Sequence, residues 1–204
     1  MLKSKFGKRF ESFSNTIGLF FSKLGIPPNG WTLLTLVFAV PGFLALYKLN
    51  LLLGFIFFFI SGCIDLIDGS VARATKTTTN FGAFLDGVVD RYVEFLLYLG
   101  LWFYIKDLPE FLFSNTVWVF LLLFGALMPS FIRAYAHHRG VVVNPKELEE
   151  MGGLLERSER LDLLYLGMLS GFFSSQYIVY AVALVAVLCH LTSLQRILHV
   201  LGKQ

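Results

Sequence analysis

The chain has 204 residues, of which 56% are hydrophobic and only 15% are charged, and its mean hydropathy is +0.68. A soluble domain usually carries about 25% charged residues, so this composition excludes an ordinary soluble globule. Aromatic residues make up 16% of the chain, which excludes a disordered one. Cys63 and Cys189 both lie in apolar runs, so neither a disulfide framework nor a cysteine-rich metal site is expected. The composition therefore predicts an all-α polytopic membrane protein.

Residues 1–24 are too polar to cross a bilayer. Apolar side chains recur there at helical spacing, and four basic residues lie among the first nine. This pattern predicts an amphipathic helix that lies at the cytoplasmic interface and binds anionic headgroups, with a simple polar tail as the alternative. We therefore divide the chain into an interfacial juxtamembrane segment, 1–24, and a membrane domain, 25–204.

Apolar windows of membrane-spanning length follow this segment. A helix needs about 20 apolar residues to cross the hydrocarbon core. The six windows are 31–48, 52–73, 82–105, 115–137, 161–175 and 177–195. With the N-terminus inside, only Lys48 and Lys106 of the 17 lysines and arginines lie outside, and the polar stretch 138–160 becomes a cytoplasmic loop. The net charge of +3 thus reflects orientation in the cell membrane and does not indicate nucleic-acid binding.

Four aspartates lie in the inner halves of the second and third predicted spans. An aspartate inside a bilayer costs about 2.5–3.5 kcal/mol, so their presence needs a cause. Asp65 and Asp68 are three residues apart, and Asp86 and Asp90 are four apart, so each pair shares one helix face. Clustered carboxylates repel one another unless cations neutralise them, and ligation by oxygen alone favours Mg²⁺ or Mn²⁺. The alternative, pairing with the arginines of the same two helices, supplies too few cations.

These aspartates belong to a longer pattern with fixed spacing. Its glycines let a ligand approach the backbone closely, or let helices pack tightly. The pattern is Asp65-x2-Asp68-Gly69-x2-Ala72-Arg73-x8-Gly82-x3-Asp86-x3-Asp90. It resembles the signature of the CDP-alcohol phosphatidyltransferase family, whose members have six membrane-spanning helices.

The resemblance implies an enzyme that transfers a phosphatidyl-type group from a CDP-activated lipid to the hydroxyl of a second alcohol and releases CMP. It assigns Asp65, Asp68, Asp86 and Asp90 to a divalent cation, Mg²⁺ or Mn²⁺, and makes Asp90 the general base as well. This is chemically coherent, because a cation neutralises diphosphate charge while a carboxylate one turn away accepts the proton of the attacking hydroxyl. Members of the family are homodimers, so a second copy of the chain is an expected partner.

The same resemblance assigns the contacts to the CDP-lipid. Arg73 suits phosphate charge. Asn29 and Thr32 match the Pro-Asn-x-x-Thr entry to the first span, although alone this stretch indicates only the start of a helix. The full set assigned to the CDP-lipid is Asn29, Thr32, Gly69, Arg73, Thr79 and Gly82.

The acceptor alcohol must be inferred from residues outside this pattern. Arg133, Arg157 and Arg160 lie near the inner ends of the fourth and fifth spans, in segments similar to those of members that make phosphatidylinositol phosphate or its ether-lipid counterpart. Tyr135 and His137 depart from that branch, which tends to carry a basic residue and an acid there. Arginines bind phosphate well, so we expect inositol 1-phosphate as the acceptor, with glycerol 3-phosphate as the alternative. The arginines could instead anchor helix ends or pair with nearby glutamates.

A protein of another class, a divalent-cation transporter, would also carry aspartates within the membrane. Its acids should extend along a path across the bilayer. Here the four aspartates cluster in the inner half, and Glu94 is the only acid further along the third span. The pattern therefore favours the enzyme.

Overall fold

The structure is a computed structural model that describes residue 14 and residues 16–202. Within this part of the chain the regular secondary structure is entirely α-helical, with one isolated bridge between Phe111 and Phe113. A short helix, α1, covers residues 16–22. It is followed by α2 (Pro28–Tyr47), α3 (Leu51–Ala74), α4 (Asn80–Ile105), α5 (Asn115–His138), α6 (Pro145–Glu150), α7 (Arg157–Ser170) and α8 (Gln176–Leu201). The predicted all-α class is confirmed. Residues 1–13 of the predicted interfacial helix lie outside the described residues.

Each of the six predicted apolar windows overlaps a helix, although the fifth runs past the end of α7 at Ser170. Among the described residues, α2, α3, α5 and α8 have the length and apolar composition needed to cross a membrane. Helix α4 is long enough but carries four charged residues between Asp86 and Glu94. Helix α7 has 14 residues and so spans about 21 Å, less than the roughly 30 Å of a hydrocarbon core. These four helices support a multi-pass membrane protein. A count of six spans also requires α4 and α7 to cross the bilayer.

Local signals at the helix starts agree with the boundaries. The Asn50 side chain caps α3 by accepting a hydrogen bond of 3.0 Å from the backbone N–H of Leu53. At α7 the side chains and backbone groups of Glu156 and Glu159 form a reciprocal capping box. The stretch predicted as a cytoplasmic loop contains the short helix α6, which Asn144 caps through a 3.0 Å hydrogen bond from the N–H of Lys146.

The chain divides into two compact units, Met1–Gly100 and Leu101–Gln204. In the first unit α2 packs against α3, and a Cβ at Gly54 would come within 2.5 Å of Leu46, so the two helices approach closely only because position 54 lacks a side chain. In the second unit α8 packs against both α5 and α7. Each unit thus builds its own core from apolar helix faces.

Candidate active site

A carboxylate cluster lies in the first unit. One carboxylate oxygen from each of Asp65 and Asp68 on α3 and Asp86 on α4 lies within 4.8 Å of the other two. Asp68 is buried, with 6% of its surface exposed. Three anionic oxygen donors at this separation fit a hard divalent cation, which would also offset their mutual repulsion. Asp90 is buried one helical turn beyond Asp86 and lies outside this group of three.

The short connection between α3 and α4 brings the cluster together. It has five residues, 75–79, and Lys76 within it adopts a left-handed conformation with φ 55°. The Thr79 hydroxyl then accepts a hydrogen bond of 2.9 Å from the backbone N–H of Gly82 and so caps the first turn of α4. The chain reverses over a few polar residues, and the acids of both helices meet beside the turn.

A cavity of about 180 Å³ adjoins the carboxylates. Asp68 and Asp86 form part of its wall, together with residues from the start of α2, the end of α3 and the turn before α4. All six residues predicted to bind the CDP-lipid line it: Asn29, Thr32, Gly69, Arg73, Thr79 and Gly82. The structure therefore brings these six residues together, and their contact with a nucleotide stays a prediction.

Two of the cavity residues, Thr32 and Gly82, affect the polar groups beside them. Thr32 donates a hydrogen bond of 2.7 Å from Oγ1 to Oδ2 of Asp68, which orients that carboxylate. A Cβ at Gly82 would lie 3.1 Å from the Thr79 hydroxyl and 3.2 Å from Oδ1 of Asn29. Glycine at position 82 thus keeps these two polar groups accessible from the cavity.

Arg73 places its guanidinium across Gly69. A Cβ at Gly69 would come within 3.1 Å of Nη1 of Arg73. Nη2 of Arg73 donates a hydrogen bond of 2.8 Å to the hydroxyl of Ser14 and a longer one of 3.4 Å to that of Ser70. The guanidinium of Arg73 is therefore held at the cavity wall by neutral hydroxyl groups.

Arg91 and Glu94, two further charged residues of α4, pair with each other. Nη1 of Arg91 pairs with Oε1 of Glu94 at 2.5 Å, and the Tyr98 hydroxyl donates to Oε2 of Glu94 at 3.2 Å. Glu94 is buried. This acid, which the sequence marked as the one furthest along the third predicted span, therefore has partners on its own helix.

An arginine cluster lies in the second unit. Arg133 of α5 donates a 2.9 Å hydrogen bond to the carbonyl of Met151. Arg160 of α7 is 2% exposed, and Arg196 of α8 is 5% exposed. Arg133 and Arg160 both lie near enough to Arg196 to interact with it electrostatically. Arg157, the third predicted member, begins α7 and is half-buried.

The loop that follows α6 contributes backbone carbonyls to this cluster. Arg196 donates from Nε to the carbonyl of Gly152 at 3.3 Å and from Nη1 to that of Pro129 at 2.6 Å. A Cβ at Gly153 would collide with Cγ2 of Thr192 on α8, and the Thr192 hydroxyl accepts a 3.0 Å hydrogen bond from the N–H of Leu155. Residues 151–155 thus pack tightly on α8 and orient the guanidinium groups.

Residues 26–201 match the family described as CDP-alcohol phosphatidyltransferase. The chain belongs to the CDP-alcohol phosphatidyltransferase family. The family resemblance drawn from the aspartate motif is therefore confirmed.

Several proteins of this family are similar to the chain. A bifunctional IPC transferase and DIPP synthase from Aquifex aeolicus is 34% identical over 160 residues, which are 76% of this chain and 35% of that protein. The chain thus spans about a third of the length of that relative. An archaetidylinositol phosphate synthase from Pyrococcus horikoshii is 29% identical over 200 residues, which are 95% of this chain and 94% of the relative.

Solved structures show the same fold. Phosphatidylinositol phosphate synthase from Mycobacterium tuberculosis with CDP-DAG bound superposes with a TM-score of 0.75 at 25% identity, covering 92% of each chain. A structure of the same enzyme in complex with manganese and citrate gives a TM-score of 0.77 at 26% identity, covering 92% of this chain and 88% of that one. The chain therefore shares the fold of that solved enzyme.

Two residues of these clusters were not predicted from the sequence. Arg196 lies one position beyond the last apolar window, where a basic residue looks like an ordinary flank. The sequence feature that could have indicated Arg196 is its position one helical turn after Thr192. The structure shows that both residues are buried. Ser14 offered no signal, because a serine in a polar segment predicts no particular partner.

Proposed function

We propose that this chain is an integral membrane phospholipid synthase that transfers a phosphatidyl-type group from a CDP-activated lipid to a phosphorylated polyol and releases CMP. The observation that carries the proposal is the cluster of Asp65, Asp68 and Asp86 at the wall of a cavity that Arg73 also lines. A diphosphate needs both positive charge and oxygen ligands for a shared cation, and this cavity offers both kinds of group. Membership of the family supports the same reaction.

The three clustered aspartates are proposed to hold Mg²⁺ or Mn²⁺. A bound cation of this kind neutralises the charge on the diphosphate of the CDP-lipid. A manganese complex of a solved family member supports a divalent ion here. Asp90, predicted as a further ligand, lies outside the group of three, and its role as ligand stays a prediction.

Asp90 is proposed to act as the general base. It removes the proton from the acceptor hydroxyl, whose oxygen then attacks the phosphorus that carries the lipid, and the bond from that phosphorus to CMP breaks. Asp90 is buried on α4 one helical turn beyond Asp86, which keeps it next to the carboxylate cluster. The proton ends on Asp90, and CMP leaves with the bonding electrons.

The CDP portion is proposed to occupy the cavity of the first unit. Arg73 would contact the diphosphate, because its guanidinium lies at the cavity wall and its hydrogen-bond partners among the described residues, Ser14 and Ser70, are neutral hydroxyl groups. Asn29 and Thr79 would contact the nucleotide through oxygen atoms that Gly82 leaves uncovered. Thr32 would act through Asp68, to which it donates its hydrogen bond.

The acceptor phosphate is proposed to bind the arginine cluster of the second unit. Arg133, Arg160 and Arg196 interact there, and two of them are almost completely buried. The carboxylate of Glu156 also lies near enough to Arg196 to interact with it. Several guanidinium groups in one place bind a phosphate well, which favours a phosphorylated acceptor over a neutral alcohol. Arg157, at the start of α7, is proposed as a further contact to this phosphate. Relatives named phosphatidylinositol phosphate synthase and archaetidylinositol phosphate synthase support inositol 1-phosphate as this acceptor.

The number of membrane spans and their orientation are proposed from the distribution of lysines and arginines along the chain. Six spans with a cytoplasmic N-terminus would place the arginine cluster and the aspartates on the cytoplasmic side. Residues 1–24 would then lie along the inner interface, and residues 25–204 would form the membrane domain. A homodimer is proposed from the family alone.

One assay tests the proposed reaction. Purified protein is mixed with a CDP-lipid, Mg²⁺ and one alcohol from a panel, and the release of CMP is followed. Inositol 1-phosphate should support the fastest release, and glycerol 3-phosphate is the alternative acceptor because the same arginines would bind its phosphate. Free inositol or serine used as efficiently as the phosphorylated alcohols would contradict the acceptor assignment. No CMP release with any alcohol would contradict the reaction itself.

A further inference from the structure

A buried serine of the N-terminal segment contacts the arginine at the cavity. The Ser14 hydroxyl lies 2.8 Å from Nη2 of Arg73 and 2.8 Å from the hydroxyl of Ser70. Ser14 is 6% exposed and Ser70 is 4% exposed, so both hydroxyl groups are shielded from solvent. Ser14 is 59 residues from Arg73 along the chain, and tertiary packing alone brings them together.

The direction of each hydrogen bond follows from the single proton of each hydroxyl. Ser70 donates its proton to the carbonyl of Leu66 at 2.7 Å. The Ser14 hydroxyl must therefore donate to the oxygen of Ser70, and its lone pairs face Arg73. Arg73 donates to Ser14, which completes a directed chain from Arg73 through Ser14 and Ser70 to Leu66. Each acceptor in this chain is oriented by the next one.

The backbone around Ser14 is held against the same helix. A Cβ at Gly18 would collide with the carbonyl of Ser70 and lie 2.8 Å from the Cβ of Ala74. Glycine at position 18 therefore allows α1 to pack directly on the last turns of α3. This contact places Ser14 at a fixed height on α3, beside the side chain of Arg73.

We propose that Ser14 is a positioning residue that holds the guanidinium of Arg73 over Gly69, ready for the diphosphate of the CDP-lipid. Among the described residues, the other hydrogen bond of Nη2 of Arg73 is the longer one of 3.4 Å to Ser70. A long arginine side chain has several rotamers, and holding one of them in advance removes an entropic cost from binding. The inference rests on the proposed contact between Arg73 and the CDP diphosphate.

Steady-state kinetics with the full-length protein test this role. Ser14→Ala should raise the KM for the CDP-lipid by roughly threefold to tenfold and leave the KM for the acceptor unchanged. Ser14→Thr, which keeps the hydroxyl, should restore the KM for the CDP-lipid. Ser22→Ala is the control, because Ser22 ends α1, is partly exposed and donates to the carbonyl of Leu19 on its own helix. Equilibrium binding of radiolabelled CDP-lipid should follow the same order.

A double-mutant cycle separates this role from a general loss of structure. If Ser14 acts through Arg73, Ser14→Ala should have no further effect on CDP-lipid binding in an Arg73→Ala background. Ser70→Ala should weaken binding in the same direction, and it serves as the test if Ser14→Ala does not fold. Full effect of Ser14→Ala without Arg73, or none with it, would overturn the inference.

The cycle also distinguishes the inference from the function on which it rests. If Arg73→Ala leaves CDP-lipid binding unchanged, the proposed diphosphate contact is wrong, and the inference fails with it. If Arg73→Ala weakens binding while Ser14→Ala and Ser70→Ala do not, the diphosphate contact stands and only the positioning role is wrong.

Discussion

Thr32 donates a 2.7 Å hydrogen bond to Asp68 and thereby joins the first turns of α2 to the α3 side of the carboxylate cluster. Both residues are buried. A hydrogen bond to a buried ionised carboxylate contributes about 1.5–3 kcal/mol, so it restricts where the oxygen atoms of Asp68 can lie. Thr32 therefore shapes the proposed cation site through Asp68.

Replacement of Thr32 by valine should weaken cation binding. Thr32→Val keeps the shape of the side chain and removes the donor, so the Mg²⁺ concentration for half-maximal activity should rise roughly tenfold to a hundredfold. The measurement is the Mg²⁺ dependence of CMP release. Thr35→Val is the control, since Thr35 is also buried on α2 but donates to the carbonyl of Thr32. An equal change in both variants would show that the effect is not transmitted by Asp68.

Replacement of Asp90 by asparagine should abolish turnover and largely preserve binding of the CDP-lipid. The amide is nearly isosteric with the carboxylate but cannot accept the proton of the acceptor hydroxyl. Asp65→Asn should instead weaken cation and nucleotide binding together, because Asp65 belongs to the group of three carboxylates. CMP release and equilibrium CDP-lipid binding are measured for both variants. Near-normal CMP release by Asp90→Asn would disprove the general-base role.

Removal of divalent cations should stop the reaction reversibly. Asp65, Asp68 and Asp86 supply oxygen donors, so Mg²⁺ or Mn²⁺ should restore activity after chelation. Calcium should bind and support turnover poorly, because its looser coordination holds a diphosphate less rigidly. CMP release is followed during titration of each metal into chelated enzyme. Full activity after exhaustive chelation would contradict the proposed mechanism.

Loss of one arginine from the second unit should affect the acceptor selectively. Arg160→Ala or Arg196→Ala should raise the KM for the acceptor about tenfold to a hundredfold, since a charge-assisted hydrogen bond contributes about 1.5–3 kcal/mol. The KM for the CDP-lipid should change little and also reports whether each variant is folded. Arg139→Ala, an exposed arginine at the end of α5, is the control. A selective loss of CDP-lipid binding would show that the arginines serve the other substrate.

A side chain at position 153 should disturb the arginine cluster indirectly. Gly153→Ala places a methyl group against Cγ2 of Thr192 and should push residues 151–155 away from α8. Because Gly152 accepts a hydrogen bond from Arg196, the KM for the acceptor should then rise by roughly threefold to tenfold. Adding Thr192→Ser removes the opposing methyl and keeps the hydroxyl, so it should restore the acceptor KM. No rescue would mean that the loop does not act through this contact.

The amino-acid sequence determined the helical class and the aspartate motif. The apolar windows coincide with helices because hydrophobic length and polar breaks are local properties of the chain. The spacing of Asp65, Asp68 and Asp86 placed them on shared helix faces, since side-chain direction follows from position along a helix. Because the polar turn between α3 and α4 is short, the ends of these helices that carry the aspartates lie close together.

Only the tertiary structure decided which distant residues support the site. Ser14 meets Arg73 because Gly18 lets α1 pack on α3, and Arg196 joins Arg133 because α8 packs against α5. Asp90 shares a helix face with Asp86 yet lies outside the group of three carboxylates. Helical periodicity predicts which face of its helix a residue occupies. The distance between two side chains also depends on how closely, and at what height, their helices pack.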